Sequence, residues 1–242
     1  LNIVSGTVTP TNDATGAQAT ALGNFTKAVV YSVSDTAANV AAASGAGLNE
    51  AVNIIAYGIA TAAQANTIMM ASNSGLTNIF QVADTAPNAA TLTPGSNDTI
   101  FNLNVTTTAN VSQATSWQGN SHIVVLQIVA LADSAAAIAG SSNEVLNCVT
   151  GSVVANTNAT VAQAGSLSAF VKAVEYSVSD VATAFTAGGG ALDDAVNITA
   201  TGEATVAQAT VVSAAGNSGA KVVAALTDSA AAIAASSNSV LD

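Results

Sequence analysis

The feature that most constrains this chain is an internal repeat. Residues 1–35 align with residues 146–180 without a gap, and 20 of these 35 positions are identical. Two kinds of repeat unit alternate, each recurring every 45 to 50 residues, which gives ten units of about 24 residues. Such a chain is expected to stack its units, because one short unit cannot bury its apolar face alone.

The first kind of unit, the Gln type, carries a helix-start signal in which Thr or Asn is followed three residues later by Gln. In such a capping box the Thr hydroxyl accepts from the N3 amide, while the Gln side chain accepts from the N-cap amide. We therefore predict a structural, helix-capping role for these glutamines. They are Gln18, Gln64, Gln113, Gln163 and Gln208.

The second kind of unit, the Asp type, carries an aspartate followed by small residues. We predict that each aspartate is a helix N-cap, where its carboxylate accepts from free amides at the positive end of the helix dipole. A calcium-binding column is the alternative, but units of one kind lie two strands apart, about 9.6 Å, too far to share an ion. The residues are Asp35, Asp84, Asp133, Asp180 and Asp228.

Each unit is predicted to begin with a strand, because apolar and polar residues alternate there, as in residues 196–201. Residues 1–4 and 146–149 are predicted strands of the Gln type. Strands that alternate with short Ala-rich helices imply parallel pairing and right-handed crossovers. The alternation predicts that one face of the sheet is uncovered and lined by Ser, Thr and Asn. In a doubly wound sheet both faces are covered by helices, and the strands are almost wholly apolar.

We therefore predict a right-handed α/β solenoid of ten strand–helix units, with one parallel sheet and short Ala-rich helices on one side. A closed or doubly wound α/β domain is the alternative architecture. The solenoid would form a single domain over residues 1–242, made of five pairs of units. Neither end shows the polar capping unit that monomeric solenoids usually carry.

The two ends of the repeat array match one another. Residues 236–242 repeat residues 141–147, and residue 146 aligns with residue 1, so another copy's first unit would continue the alternation. Head-to-tail contact of this kind generates a filament. The predicted interface consists of Leu1, Ile3, Val4, Val222, Val240 and Leu241. The alternative is a fragment of a giant repeat protein, which would also be structural and axially stacked.

Composition narrows the possible partners. The net charge is −11, with three Lys and no Arg, so nothing neutralises the phosphates of a nucleic acid. The longest apolar run, residues 123–132, is far shorter than the roughly 20 residues of a membrane-spanning helix. We predict neither a nucleic-acid partner nor a membrane span.

Candidate catalytic residues are sparse. The chain has one histidine, His122, and one cysteine, Cys148, so neither a triad nor a zinc site can be assembled from them. We predict that Cys148 is a small buried apolar residue. The carboxylates of Glu175 and Glu203 are isolated in sequence, and they form no acid/base pair of the glycosidase kind. We therefore predict no enzymatic activity and no cofactor.

Residues 34–42 and 195–208 resemble repeats of very large secreted bacterial surface proteins, including cyanobacterial ones. The resemblance implies an extracellular surface or fibre role and no chemistry. Our leading hypothesis is a subunit of an extracellular filament, sheath or surface layer whose partner is a second copy of the chain. The alternative is an adhesin module whose open Ser/Thr/Asn face binds glycans or another cell surface.

Overall fold

The computed structural model describes residues 3–186 and 189–241 and shows a mixed α/β fold. The strands are β1 Val33–Thr36, β2 Ile54–Ala60, β3 Thr77–Asp84, β4 Asp98–Ala109, β5 Ile123–Asp133, β6 Val153–Ala155, β7 Val174–Glu175, β8 Val178–Val181, β9 Ile198–Ala204 and β10 Lys221–Leu226. Strands β1 to β7 form a seven-stranded parallel sheet in chain order, and β10, β9 and β8 form a parallel three-stranded sheet.

The helices between the strands are short. They are α1 Gly16–Leu22, α2 Ala37–Ala41, α3 Gly45–Asn49, α4 Ala62–Met69, α5 Ala86–Ala89, α6 Val111–Gln118, α7 Ala135–Ala139, α8 Asn143–Asn147, α9 Val161–Ser168, α10 Gly190–Asp193, α11 Val206–Ala214, α12 Ala230–Ala234 and α13 Asn238–Leu241, with a 3-10 turn at Ala182–Ala184. Their buried faces consist largely of alanine, valine, leucine and isoleucine.

The chain divides into two compact units of packing. One comprises Leu1–Ala109 and Gln113–Val129, and the other comprises Asn110–Ser112 and Ala130–Asp242. Each has its own apolar core. In the first unit the core includes Ile54, Ile79 and Ile100 of neighbouring strands, and in the second it includes Leu131 and Ile198.

The Gln-type strands β2 and β9 share a bulge that changes which side chains are buried. In β2, Ala56 and Ala60 are buried, whereas the three residues between them are exposed. Pairing with β3 shifts at this point, so one residue more is accommodated in β2. Gly58 and, in β9, Gly202 have φ angles of 74° and 76° there. Glycine fits this left-handed region at no steric cost, which explains its place in both bulges.

Helices that connect neighbouring parallel strands must approach closely, because strands lie about 4.8 Å apart and packed helices usually lie about 8–10 Å apart. Small residues make the approach possible in the first packing unit. A Cβ added to Gly47 of α3 would overlap the carbonyl of Ala19 in α1, and one added to Gly16 would overlap the carbonyl of Asn39. The backbones of these neighbouring helices are therefore in direct contact.

Two predicted strands are wrong. Ile3 and Val4 lie in no strand, and the first pairing is an isolated parallel bridge between Val8 and Val29. Residues 146–149 were predicted as the corresponding strand, but Leu146 and Asn147 belong to α8, and the strand of that unit is β6. Leu1 and the residue after it lie outside the described residues.

A second short helix before several Gln-type strands explains these errors. Ser142 caps α8 by accepting from the amide of Val145, and Ser44 caps α3 by accepting from the amide of Gly47. Leu146 is therefore buried from a helix rather than from a strand. Val240 and Leu241, predicted to approach a new strand, lie in the corresponding helix α13.

Candidate assembly edges and the contacts that build them

Four of the predicted capping boxes form. The side chains of Gln18, Gln64, Gln163 and Gln208 each accept from the N-cap amide, and the N-cap threonines accept from the amides of these glutamines. The capping box at Asn110 and Gln113 remains a prediction. Both residues interact with other groups. The capping boxes fix where each Gln-type helix begins.

The five aspartates stand one residue before the predicted position. The N-cap is the next residue, for example Thr36 after Asp35 and Ser134 after Asp133. Each carboxylate accepts from that next amide through Oδ1, and through Oδ2 it accepts from the first amide of the preceding Gln-type helix. The same pair of bonds is made by Asp84, Asp180 and Asp228. Each aspartate thus connects two consecutive repeat units.

The prediction of an N-cap was off by one residue because a threonine or serine occupies that position in four of the five units. The hydroxyls of Thr36, Thr85, Ser134 and Ser229 accept from the N3 amides of their helices. The carboxylate is therefore available for the neighbouring helix. After Asp180 there is Val181, which makes no side-chain cap, and only a 3-10 turn follows.

Hydrogen bonding affects the acidity of two of these carboxyls. The bond from Asn39 Nδ2 to Asp35 Oδ1, 2.9 Å long, holds the pKa of Asp35 below its usual range, and the amides of Thr36 and Gly16 act in the same direction against burial. At Asp84, burial acts to raise the pKa, but a similar set of hydrogen bonds outweighs it and lowers the value. Both carboxylates are therefore stabilised in the charged form.

A threonine of the following unit completes the N-terminus of an Asp-type helix. The amide of Ala86 in α5 donates to Thr107 Oγ1 at 2.9 Å, and the amide of Ala135 in α7 donates to Thr157 Oγ1 at 3.0 Å. These two Asp-type helices therefore each take one cap from the unit that follows them.

An apolar surface lies where residues 3–14 pair on one side only. We call residues 3–14 together with Leu22, Phe25 and Val29 the first edge. Ile3, Val4, Val8, Leu22, Phe25 and Val29 line a cleft of about 370 Å³. Ile3 exposes 85% of its surface and Phe25 61%. Within the described residues, no strand pairs with the other side of the segment around Val8.

A second exposed surface lies in the second packing unit, on β10 and the two helices that follow it. We call the open side of β10, α12 and α13 the last edge. Strand β10 pairs with β9 and, within the described residues, with no other strand. Val222, Val240 and Leu241 line one cleft here, together with Val212 and Val223.

The predicted interface residues are thus divided between the two edges. Ile3 and Val4 lie together on the first edge, while Val222, Val240 and Leu241 lie together on the last edge. Leu1 lies outside the described residues. The repeat pattern of the sequence did not indicate that Phe25, Leu22 or Ile233 lies at these edges.

The pentapeptide Ala-Ala-Ala-Ile-Ala forms both α7 and α12, but the two helices differ in burial. In α7, Ala135 and Ile138 are fully buried, and α9 of the next unit packs against this helix. In α12, the corresponding Ala230 is exposed and Ile233 is only partly covered, and the helix contains no buried residue. The same sequence is buried where another unit follows it and open at the last edge.

The exposed face of the first packing unit differs from the predicted polar face. Tyr57, Phe80 and Phe101 lie side by side on β2, β3 and β4 and expose 40–51% of their surfaces. The rings of Phe80 and Phe101 are 5.4 Å apart between centroids. Val124 on β5 continues this row, because the amide of Ile100 donates to the carbonyl before β5. We call Tyr57, Phe80 and Phe101 the aromatic row.

The other candidate residues have local contacts. Cys148, predicted to be buried, is partly exposed at the end of α8, where its Sγ donates to the carbonyl of Glu144, and partial burial raises its pKa. His122 is partly buried, and its Nδ1 lies 2.9 Å from the carbonyl of Asp98. In residues 3–186 and 189–241, no group of three or more His, Cys, Asp or Glu could hold a metal ion.

No helix in the described part of the chain has the length and apolar character needed to cross a membrane. No protein-family model, no curated protein and no solved structure matches the chain. The fold, the contacts between consecutive units and the two edges are therefore the observations from which a function can be inferred.

Proposed function

We propose that this chain is a non-enzymatic structural subunit that assembles head to tail into an extracellular filament, sheath or surface layer. In this proposal the ten units form a right-handed α/β solenoid, and the last edge of one copy stacks on the first edge of the next. Heterologous contacts of this kind repeat without closing and generate a filament.

The observation that carries the proposal is the different burial of α7 and α12, which have the same sequence. A subunit covering α12 would bury Ile233 as Ile138 is buried by the following unit. Burial of one large aliphatic side chain contributes about 1.5–3 kcal/mol. The exposed Phe25 and the partly exposed Leu22 on the first edge would bury further apolar area in the same contact.

The open side of β10 gives a second reason for assembly. A strand with free amides and carbonyls is a template for pairing with another chain. Proteins that remain monomeric usually protect such strands with charges, prolines or a covering segment. The side chains of β10 are Lys, Val, Val, Ala, Ala and Leu, and their only charge is on Lys221 at its first position.

The extracellular location is proposed from the resemblance to repeats of secreted bacterial surface proteins and from the composition. Only 7% of the residues are charged, and three are Lys or Arg. Such a surface offers few cleavage sites to trypsin-like proteases. Protease resistance of the assembled form would agree with this location, and rapid degradation of assemblies would contradict it.

The direct test is electron microscopy and sedimentation of the purified chain over a range of concentrations. We expect unbranched filaments above a critical concentration. Discrete particles that remain monodisperse at high concentration would overturn the proposal.

Two edge variants make the test specific to head-to-tail contact. Val4→Asp places a charge on the first edge, and Ile233→Asp places one on the last edge. Each variant alone should lose filaments because one edge is blocked, whereas an equimolar mixture should form dimers through the two intact edges. Val181→Asp, at another exposed valine, is the matched control and should still form filaments. Filaments from either edge variant alone would argue against these edges.

A second candidate function, a glycan-binding adhesin module, is favoured by the aromatic row. Exposed aromatic faces bind other apolar and ring surfaces, and the net charge of −11 disfavours polyanionic ligands. Neutral polysaccharides are the probe for this candidate. Binding by the Val4→Asp monomer that is lost in Phe80→Ser would support an adhesin, and binding unchanged by Phe80→Ser would remove the aromatic row as its site.

A further inference from the structure

We infer the register of the contact between copies: residues 7–11 of one copy extend the sheet beside β10 of another, with Val8 opposite Leu226. This inference rests on the proposed head-to-tail assembly and makes it specific at the level of single hydrogen bonds. The partner is a second copy of this chain, and its identity follows from an equivalent contact already present inside the second packing unit.

The internal template is the pairing between β5 and β6. Leu131 lies opposite Val153 in a parallel pair. The amide of Leu131 donates to the carbonyl of Ser152 at 3.0 Å, and the amide of Asn156 donates to the carbonyl of Asp133 at 2.8 Å. These two bonds connect an Asp-type unit to the Gln-type unit that follows it.

Both sides of the template recur at the edges. Residues 128–139 and 223–234 correspond at an offset of 95, through Asp133 and Asp228 and through the shared pentapeptide. Residues 146–180 and 1–35 correspond at an offset of 145. The template therefore assigns a bond from the amide of Leu226 to the carbonyl of Thr7, and one from the amide of Thr11 to the carbonyl of Asp228.

The one proline in this segment is compatible with the assigned register. Pro10 corresponds to Ala155 and has no amide hydrogen. In this segment, the backbone amides that must donate to the other copy are those of Thr9 and Thr11. They lie at odd positions because the amides of a parallel strand donate alternately to its two neighbouring strands. A slip of one residue would place Pro10 at a donor position and turn every side chain to the opposite face.

A side-chain cap accompanies the strand pairing. Thr157 Oγ1 accepts from the first amide of α7, and its counterpart at the first edge is Asn12. The first amide of α12 belongs to Ala230, which donates to no side chain in the described part of the chain. Asn12 is exposed, and within the described residues only its Nδ2 forms a hydrogen bond, to the carbonyl of Asp13. Its Oδ1 can therefore cap α12 of the neighbouring copy.

The apolar contact follows the same correspondence. Val153 and Leu167 are buried in the second packing unit, whereas their counterparts Val8 and Leu22 are partly exposed. The helix α1, which corresponds to α9, would cover Ile233 as α9 covers α7. The same placement of the second copy therefore satisfies the strand pairing, the helix packing and the helix cap.

Disulfide trapping tests this register. In a Cys148→Ser background, Thr9→Cys and Thr227→Cys are combined in one chain, because their counterparts Val154 and Ala132 are directly paired. Paired strand positions lie within the Cα separation that a disulfide accepts, about 4.4–6.8 Å. Mild oxidation of filaments should give a ladder of covalent multimers on a non-reducing gel. The shifted pair Thr7→Cys with Thr227→Cys is the control and should give little or none.

The outcomes separate the register from the proposed function. Filaments that cross-link through the shifted pair, or through neither pair, would overturn the register while leaving head-to-tail assembly in place. A chain that forms no filaments at all would overturn both. Efficient cross-linking through residues 9 and 227 alone would support both.

The cap provides an independent measurement without engineered cysteines. Asn12→Ala should raise the critical concentration about fivefold, which is the usual effect of losing one N-cap side chain. Asn12→Thr should restore assembly, because threonine makes this bond inside the chain. Equal critical concentrations for the wild-type chain and Asn12→Ala would exclude the cap from the contact.

Discussion

The amide of Ala62 donates to Oδ2 of Asp84 at 2.9 Å, so a residue at the end of one strand completes the N-terminus of the helix in the preceding repeat unit. The first amides of an α-helix have no partner within the helix. Here the capping box supplies two acceptors and the next unit supplies a third. The helix of each Gln-type unit is therefore completed by the next unit through a polar contact.

Loss of this contact should destabilise the chain measurably. In Asp84→Asn, one carboxylate oxygen is replaced by an amide nitrogen. The amides of Ala62 and Thr85 can then no longer both donate to this side chain. We expect the free energy of unfolding to fall by roughly 1–3 kcal/mol, the range for an unsatisfied partner of a charged group. Urea unfolding followed by circular dichroism measures this change. Asp13→Asn, at an exposed aspartate, is the control and should leave the value nearly unchanged.

The depressed pKa of Asp35 predicts a loss of stability in acid. Hydrogen bonding to Asn39 and to backbone amides lowers its pKa in the folded state below the unfolded value of about 3.9. Its stabilising contribution is therefore present above that value and is lost as the pH falls through the folded-state pKa. Urea unfolding between neutral pH and about pH 2 should show this decline. A decline of the same steepness in Asp35→Asn would contradict the assignment.

Tyr176 predicts the opposite dependence at high pH. Burial, together with the nearby charge of Asp194, raises its pKa to about 12, and its hydroxyl donates to the carbonyl of Ala191 at 2.6 Å. Because the unfolded value is about 10, this contribution is complete below pH 10 and is lost as the pH rises towards 12. The absorbance of tyrosinate during alkaline unfolding reports the titration. Tyr176→Phe should unfold with a weaker dependence on pH in this range.

The bulge glycine of β9 predicts a position-specific effect of alanine. Gly202 has a φ of 76°, and no atom lies near its missing Cβ, so Gly202→Ala adds backbone strain without a clash. We expect a loss of about 1–2 kcal/mol in unfolding free energy. Gly165→Ala, inside α9 with equally open space, is the matched control and should stabilise by about 0.5–1 kcal/mol. Similar effects at both sites would contradict the role of the positive φ.

The local patterns in the sequence were sufficient for much of the fold. The Thr-x-x-Gln pattern predicted the start of four helices to the residue, because both partners of a capping box lie within one turn. The alternation of apolar and polar residues predicted most of the strands. The order of strands and helices predicted parallel pairing, since neighbouring strands joined by a helix run in the same direction.

The errors arose where a local pattern had two possible readings. Residues 146–149 alternate like a strand, but Ser142 begins a helix just before them, and the burial of Leu146 from that helix decides the outcome. An aspartate before a threonine can cap either its own helix or a neighbouring one. Only the tertiary position of the preceding helix, which lies beside the end of the strand, assigns the carboxylate to both helices.

The sequence by itself determined that this protein is built from two alternating kinds of repeat unit, because the residues that mark each unit and cap its helix lie only a few positions apart. Only the tertiary structure decided which surfaces remain open. The pentapeptide Ala-Ala-Ala-Ile-Ala is the same in α7 and α12, yet Ile138 is buried and Ile233 is partly exposed. Burial depends on what lies next to a helix in space, and residues distant in sequence supply that neighbour.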